Sequence, residues 1–120
     1  MKKILVVDDT EFMRMTIRKV LESANFEVVA EAENGEVAIQ QYKIYHPDVV
    51  LMDITMPIMN GIEALNGIKE IDESAKVIIV SALGQEMVVR EAIANGAESF
   101  IVKPFQPETL VELVSRVSQS

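Results

Sequence analysis

Four apolar runs in this chain each end on a polar side chain suited to phosphate or metal chemistry. Ile4-Leu5-Val6-Val7 runs into Asp8-Asp9, and Val49-Val50-Leu51-Met52 into Asp53. Val77-Ile78-Ile79-Val80 runs into Ser81, and Phe100-Ile101-Val102 into Lys103. Between the runs lie segments with helical spacing. That alternation through the whole chain is the signature of a parallel sheet covered on both faces. The runs are continuous rather than alternating, as expected of strands buried on both sides. A further strand over Glu27 to Ala32 is weaker and more polar, which places it at an edge of the sheet. If the runs are parallel, their C-terminal ends share one edge, where open α/β sheets bind ligands. Three carboxylates, a hydroxyl and an ammonium then meet at one site.

The intervening helices can be placed. The first spans about Glu11 to Ala24, with Met13, Ile17, Val20 and Ala24 at helical spacing, Thr10 as N-cap and Asn25 past its end. The second runs from about Gly35 to Tyr45, where Pro47 blocks continuation. The third follows Asn60-Gly61 and carries Ile62, Leu65 and Ile68 on one face. The fourth covers about Gln85 to Asn95, stopped by Gly96. The fifth opens near Pro107 and buries Leu110, Leu113, Val114 and Val117. Gly67, in the middle of the third helix, is expected to cost about 1 kcal/mol relative to Ala.

A length of 120 residues leaves room for one domain and one core. A net charge of −8 argues against nucleic acid and anionic membranes, both of which call for Lys and Arg. The absence of Cys excludes disulfides, zinc-thiolate sites and thiol catalysis. The apolar run after Met1-Lys2-Lys3 is too short for a signal peptide or a membrane span, so a cytoplasmic location is expected.

Asp8 and Asp9 sit just past a strand, where the turn can direct both side chains into one pocket. Two carboxylates about 4 Å apart repel by roughly 4 kcal/mol at an effective dielectric near 20. Three together call for a cation. Without a Cys or His cluster the ligands are hard oxygens. Few carboxylates, with room for water and phosphate oxygens, suit Mg²⁺ better than a dedicated Ca²⁺ cage, with Mn²⁺ as a substitute. Asp53 stands alone and central, and so is the candidate nucleophile, since carboxylates form aspartyl phosphates when a metal and fixed charges organise the transfer. Asp8 and Asp9 form the natural metal pair. Lys103-Pro104 follows a strand at once. A cis bond there would aim the ammonium back over the sheet end, as a compact charge for a phosphoryl oxygen. Ser81 supplies a second donor. Taken singly, each of these residues has a bland reading as a cap, a turn or a solvated strand end. His46, before Pro47 and without a second ligand, reads as a turn residue.

The motifs Asp8-Asp9, Asp53, Met56-Pro57 with Asn60-Gly61, Ser81-Ala82, Gly96-Ala97 and Lys103-Pro104 together resemble the receiver domain of two-component response regulators. The resemblance covers the chain from Lys3 to about Val117. Phe12-Met13-Arg14-Met15, Met52 to Pro57, Ser81 to Gln85 and Phe100 to Gln106 are similar to the chemotaxis (CheY-type) subgroup, of the Gram-positive and Thermotoga-like kind. The resemblance implies an α/β, flavodoxin-like, doubly wound fold: a five-stranded parallel sheet of order 2-1-3-4-5 with five helices. It implies a single receiver domain over residues 1–120 with no output domain. It implies that Asp53 accepts a phosphoryl group from a histidine kinase (CheA-like). Asp9, Asp53 and the backbone carbonyl of Thr55 would bind Mg²⁺, Asp8 acting largely through water. Ser81 and Lys103 would contact the phosphoryl oxygens. Phosphorylation would pull Ser81 toward those oxygens and let Phe100 move into the space it leaves. Many relatives carry Thr and Tyr at these two positions. Thr55 and Leu83 occupy places that tune dephosphorylation in the family. The implied output surface holds Met87, Val88, Arg90 and Glu91, with Phe100 and Phe105 nearby, although apolar residues at helical spacing are more often core. The implied partners are the kinase, a flagellar switch protein (FliM-like) and a CheY-directed phosphatase. Neither nucleic acid nor membrane insertion is implied, and the chain is expected to be a monomer. It would not be an enzyme beyond promoting its own phosphorylation and dephosphorylation.

Three other readings compete. A receiver of another phosphorelay or of pilus motility has the same site chemistry. A phosphatase of the haloacid dehalogenase kind needs a second Asp two residues after the nucleophile, where this chain has Thr55. A flavodoxin-type flavin module needs a Ser/Thr/Gly-rich phosphate loop after the first strand, where Asp8-Asp9 would repel phosphate.

Overall fold

The computed structural model describes every residue from Met1 to Ser120. Strands β1 (Lys3–Val7), β2 (Glu27–Ala32), β3 (Val49–Asp53), β4 (Val77–Ala82) and β5 (Ser99–Lys103) alternate with helices α1 (Glu11–Ser23), α2 (Gly35–Tyr45), α3 (Gly61–Ile71), α4 (Glu86–Ala94) and α5 (Pro107–Gln119). All strand pairs are parallel, in the order β2-β1-β3-β4-β5. This is the flavodoxin-like architecture and strand order that the family resemblance implies.

The unbroken apolar runs follow from this topology. Successive strand side chains point to opposite faces. Leu5, Val7, Val50, Met52, Val77 and Ile79 join one core with Ala38 and Tyr42 of α2, Leu65 and Ile68 of α3, and Ala92 of α4. Ile4, Val6, Val49, Leu51, Ile78 and Val80 join the other with Ile17 and Leu21 of α1 and Leu110 and Val114 of α5. A strand covered on both sides has no solvent face to mark with polar residues. The two edge strands show the converse: in β2 Glu27 is exposed and Glu31 half-buried, and β5 buries only Ile101 fully.

Helix limits follow local chemistry. Asn60 and Glu63 form a reciprocal capping box that starts α3. Pro107 occupies the first turn of α5. Asn25 takes the left-handed conformation after α1 (φ 68°), and His46 does so after α2 (φ 44°), just before Pro47. α4 is one residue shorter at each end than its sequence span, because Gln85 and Asn95 serve as caps. Gly67 has a packing role that helix propensity does not reveal. A Cβ there would lie 2.4 Å from Ile39 Cδ1, so the glycine lets α3 approach α2. No helix is long and apolar enough to cross a membrane.

Register brings the strand ends level. Asp53 lies opposite Val80, the residue before Ser81, and Ala82 lies opposite Lys103.

Candidate phosphorylation and metal site

Asp8, Asp9 and Asp53 each present a carboxylate oxygen, and these oxygens all lie within 4.8 Å of one another. Lys103 Nζ stands 3.6 Å from Asp8 Oδ2 and 3.6 Å from Asp53 Oδ2. The peptide bond between Lys103 and Pro104 is cis. The Thr55 backbone N–H donates to Asp53 Oδ1 at 3.2 Å. Ser81, one residue past the strand partner of Asp53, is buried, and its Oγ has no hydrogen-bond partner.

The two adjacent acids are held differently. Asp8 is buried and secured on every side. Its N–H donates to the Ala32 carbonyl at 3.0 Å. Its carbonyl accepts from Arg14 Nη1 at 2.7 Å. Its Oδ1 accepts from both the N–H and the hydroxyl of Thr10, each at 2.9 Å. Arg14 is itself anchored by Glu31 at 3.0 Å, and Glu31 also pairs with Arg18 at 3.0 Å. Asp9 is exposed. The turn therefore offers one fixed carboxylate and one facing water.

Asp53 is 5% exposed. Burial pushes its carboxyl up to about 6; Lys103 opposes this, Asp8 adds to it, the Thr55 N–H opposes it, and Asp9 adds a little more. The cluster thus sets three acids against one ammonium, which contacts two of them, and the site is short of positive charge. The orphaned Ser81 hydroxyl lacks a polar partner, an omission worth about 1–3 kcal/mol for a buried donor. Hard carboxylate oxygens beside an unused hydroxyl and an ammonium fit a small divalent cation together with a phosphoryl group.

The remaining candidate residues lie on the loops after β3, β4 and β5, on β5 and on α4. Leu83 and Thr55 are exposed on the loops after β4 and β3. A cleft of about 400 Å³ between α4 and β5 is lined by Ser81, Leu83, Val89, Ile93, Phe100 and Val102. Met87 is 82% exposed and so is not core; Arg90 and Glu91 are exposed, Val88 packs partly on the core, and Phe105 is half-buried.

Three side chains enter that sequence reasoning had not assigned to the site. Thr10 turns its hydroxyl to Asp8 instead of capping α1, a local turn that the Asp-x-Thr spacing could have signalled. Arg14 reaches back six residues, past the start of α1, to the Asp8 carbonyl. Gln85 bridges two loops, and no periodic signal marks it.

The profile of the response regulator receiver domain matches residues 4–115. The chain belongs to this family. It is 52% identical over 118 residues to the chemotaxis protein CheY of Thermotoga maritima, covering 98% of each chain. It is also 52% identical over 117 residues to protein CcdB of Bacillus subtilis, again covering 98% of each. Among solved structures it resembles the CheX-CheY-BeF3-Mg²⁺ complex from Borrelia burgdorferi. There the TM-score is 0.92 at 38% identity, over 97% of this chain and 88% of that one. The receiver and CheY-type likeness carried by the motifs is thereby established. In this receiver the acid cluster occupies the C-terminal edge of the sheet, at the β1 and β3 strand ends, with the Lys103 ammonium reaching it from the β5 end.

Proposed function

We propose that this receiver is a chemotaxis phosphorylation switch, with Asp53 as phosphoacceptor. The observation that carries the reading is the Lys103 ammonium, 3.6 Å from each of two buried carboxylates, one of them at the end of a central strand. An Asp53 oxygen attacks the phosphorus of a phosphohistidine on a CheA-like kinase. A P–O bond forms, the P–N bond breaks, and the imidazole leaves with the electron pair and takes a proton from solvent. Water later hydrolyses the acyl phosphate to carboxylate and inorganic phosphate. Lys103 and Ser81 hold the phosphoryl oxygens. Asp9, Asp53 and the Thr55 carbonyl would hold Mg²⁺, or Mn²⁺ in its place, with Asp8 acting through water. The cation supplies charge neutralisation for the transferred group.

Once Asp53 is phosphorylated, the buried Ser81 hydroxyl gains a partner and Phe100 follows into the cleft beside it. Thr55 and Leu83, at the mouth of the pocket, set the lifetime. The signal then reaches a FliM-like flagellar switch protein through α4, β5 and α5, where Met87, Val88, Arg90, Glu91, Phe100 and Phe105 lie. A CheY-directed phosphatase ends it. The chain acts as a cytoplasmic, monomeric single-domain receiver over residues 1–120, without nucleic acid or membrane contact, and catalyses no reaction but its own phosphorylation and dephosphorylation. The equal likeness to CheY and to CcdB supports a second reading, a receiver in a different phosphorelay. Phosphate-dependent binding of a FliM peptide separates the two.

Mass spectrometry after acetyl phosphate and Mg²⁺ tests the core of the reading. Wild type is expected to gain one phosphoryl group and Asp53→Asn none. Uptake by the variant at the wild-type rate would place the nucleophile elsewhere.

A further inference from the structure

We propose that Gln85 is a positioning residue that straps the switch loop in its resting place; the inference rests on the phosphorylation reading above. Its Oε1 accepts from the Ala82 N–H at 2.7 Å, and its Nε2 donates to Thr55 Oγ1 at 2.9 Å. Thr55 in turn gives its N–H to Asp53 Oδ1. One side chain therefore runs from the residue next to Ser81 to the residue two beyond the phosphoacceptor.

The position suits a strap rather than a helix cap. Gln85 stands at the N-cap of α4, yet its side chain makes no bond to that helix. The whole amide is committed across the loops. The loop it restrains has little other hold: Leu83 is exposed, and Gly84 adopts a left-handed conformation (φ 88°) with open space where a Cβ would be. Such a glycine permits the chain to rearrange.

Ser81 has to approach a phosphoryl group on Asp53 for its buried hydroxyl to find an acceptor. Ala82 is the next residue and moves with it. That displacement stretches the bond from the Ala82 N–H to Gln85, or draws Gln85 away from Thr55. The two hydrogen bonds therefore favour the resting loop, and phosphorylation has to outcompete them. A shift toward the active arrangement needs such a differential interaction. The strap also keeps the Thr55 hydroxyl occupied, so breaking it changes the group facing the phosphoryl site.

The test is the rate of labelling by acetyl phosphate with Mg²⁺ on the full chain, with thermal melting in parallel. Gln85→Ala is expected to label about fivefold faster than wild type, the scale of one net hydrogen bond, and to melt a few degrees lower, because the same bond stabilises the resting fold. A merely structural tie would lower the melting temperature and leave the labelling rate alone. Gln85→Glu retains an acceptor for the Ala82 N–H and a second for the Thr55 hydroxyl, and is expected to label no faster than wild type. Labelling of Gln85→Ala at or below the wild-type rate overturns the strap, as does labelling of Gln85→Glu as fast as Gln85→Ala. Absence of labelling in wild type overturns the switch reading itself, and the strap with it.

Discussion

Replacing Asp53, the proposed phosphoacceptor, should make the metal-free protein more stable. Asp53 is almost wholly buried, and its carboxyl is pushed up to about 6, chiefly by that burial, from an ordinary value near 3.8. Raising the carboxyl from about 3.8 to about 6 corresponds to roughly 3 kcal/mol at neutral pH, at about 1.4 kcal/mol per tenfold in proton affinity. The direction follows from proton binding. The folded state keeps the Asp53 proton up to about pH 6, whereas the unfolded chain has lost it by about pH 4. Below pH 4 both states are protonated and the group imposes no penalty. As pH rises through 6 the folded state ionises and bears the full penalty. Asn in place of Asp53 keeps the shape and removes the charge, and Lys103 retains Asp8 at 3.6 Å. In EDTA at pH 7.5, Asp53→Asn should therefore exceed wild type by up to about 3 kcal/mol, or about 10 °C in melting temperature for a domain of this size. The gap should be nearly constant above about pH 6.5 and shrink mainly between pH 6 and pH 4. Denaturant midpoints measured across that range check both features. Equal stabilities at pH 7.5, or a gap that does not change with pH, would refute the burial argument.

The remaining predictions concern the acids and the backbone around them. Millimolar Mg²⁺ should raise the wild-type melting temperature, because the ion binds the folded acid cluster and not the open chain; an unchanged temperature would count against the metal assignment. Asp9→Ala removes one charge within 4.8 Å of the other two acids, so it should raise the melting temperature in EDTA and weaken the Mg²⁺ effect. Equal or lower stability in EDTA would mean that Asp9 is too well solvated to repel its neighbours. Gly61→Ala should destabilise by about 1–3 kcal/mol and slow labelling, because its Cβ would meet the Asp53 carbonyl oxygen at 2.4 Å and Ile54 Cα at 2.8 Å. Backbone atoms cannot rotate aside, so a neutral result in denaturant titration would show that the β3–α3 loop is free to shift.

The fold was legible wherever burial left a one-dimensional trace. β1, β3 and β4 are covered on both faces, so their sequences could only be continuous apolar runs. β2 advertised its edge position through Glu27 and Glu31. The site was legible for a related reason: parallel strands carry whatever follows them to one edge, so Asp8, Asp9, Asp53, Ser81 and Lys103 converge without any local signal among them. Contacts that depend on two separate loops left no such trace. Gln85 and Thr55 are 30 residues apart, and neither periodicity nor composition links them. Thr10 reads as a helix cap because the cap and the Asp8 turn compete for one hydroxyl, and only the folded geometry decides. Gly67 looked like a propensity defect because propensity contains no term for the neighbouring Ile39. Met87 could not be placed because α4 is short and buries only Val89 and Ala92, a stripe too narrow to claim every apolar residue.

The same geometry indicates where the energy of the proposed switch must reside. Ser81 and Phe100 line one cleft of about 400 Å³, and Phe100 is 46% exposed in it. A ring with that much room is not confined by a neighbouring hydroxymethyl group. Ser81 lacks the methyl that Thr carries in many relatives, so its departure frees still less volume. Steric gating alone would therefore leave the ring distributed between positions in both states. A two-state equilibrium moves only as far as the differential interaction allows, and reversing it from 1:99 to 99:1 needs about 5.5 kcal/mol. Packing around Phe100 supplies little of this, so polar groups must supply the rest. The candidates are the Ser81 hydroxyl, unpartnered at rest, the Lys103 ammonium, shared between two acids, and the Gln85 amide, which pulls the other way. Coupling in this receiver is thus expected to follow changes at the hydrogen-bonded loop far more than changes in the size of the aromatic residue.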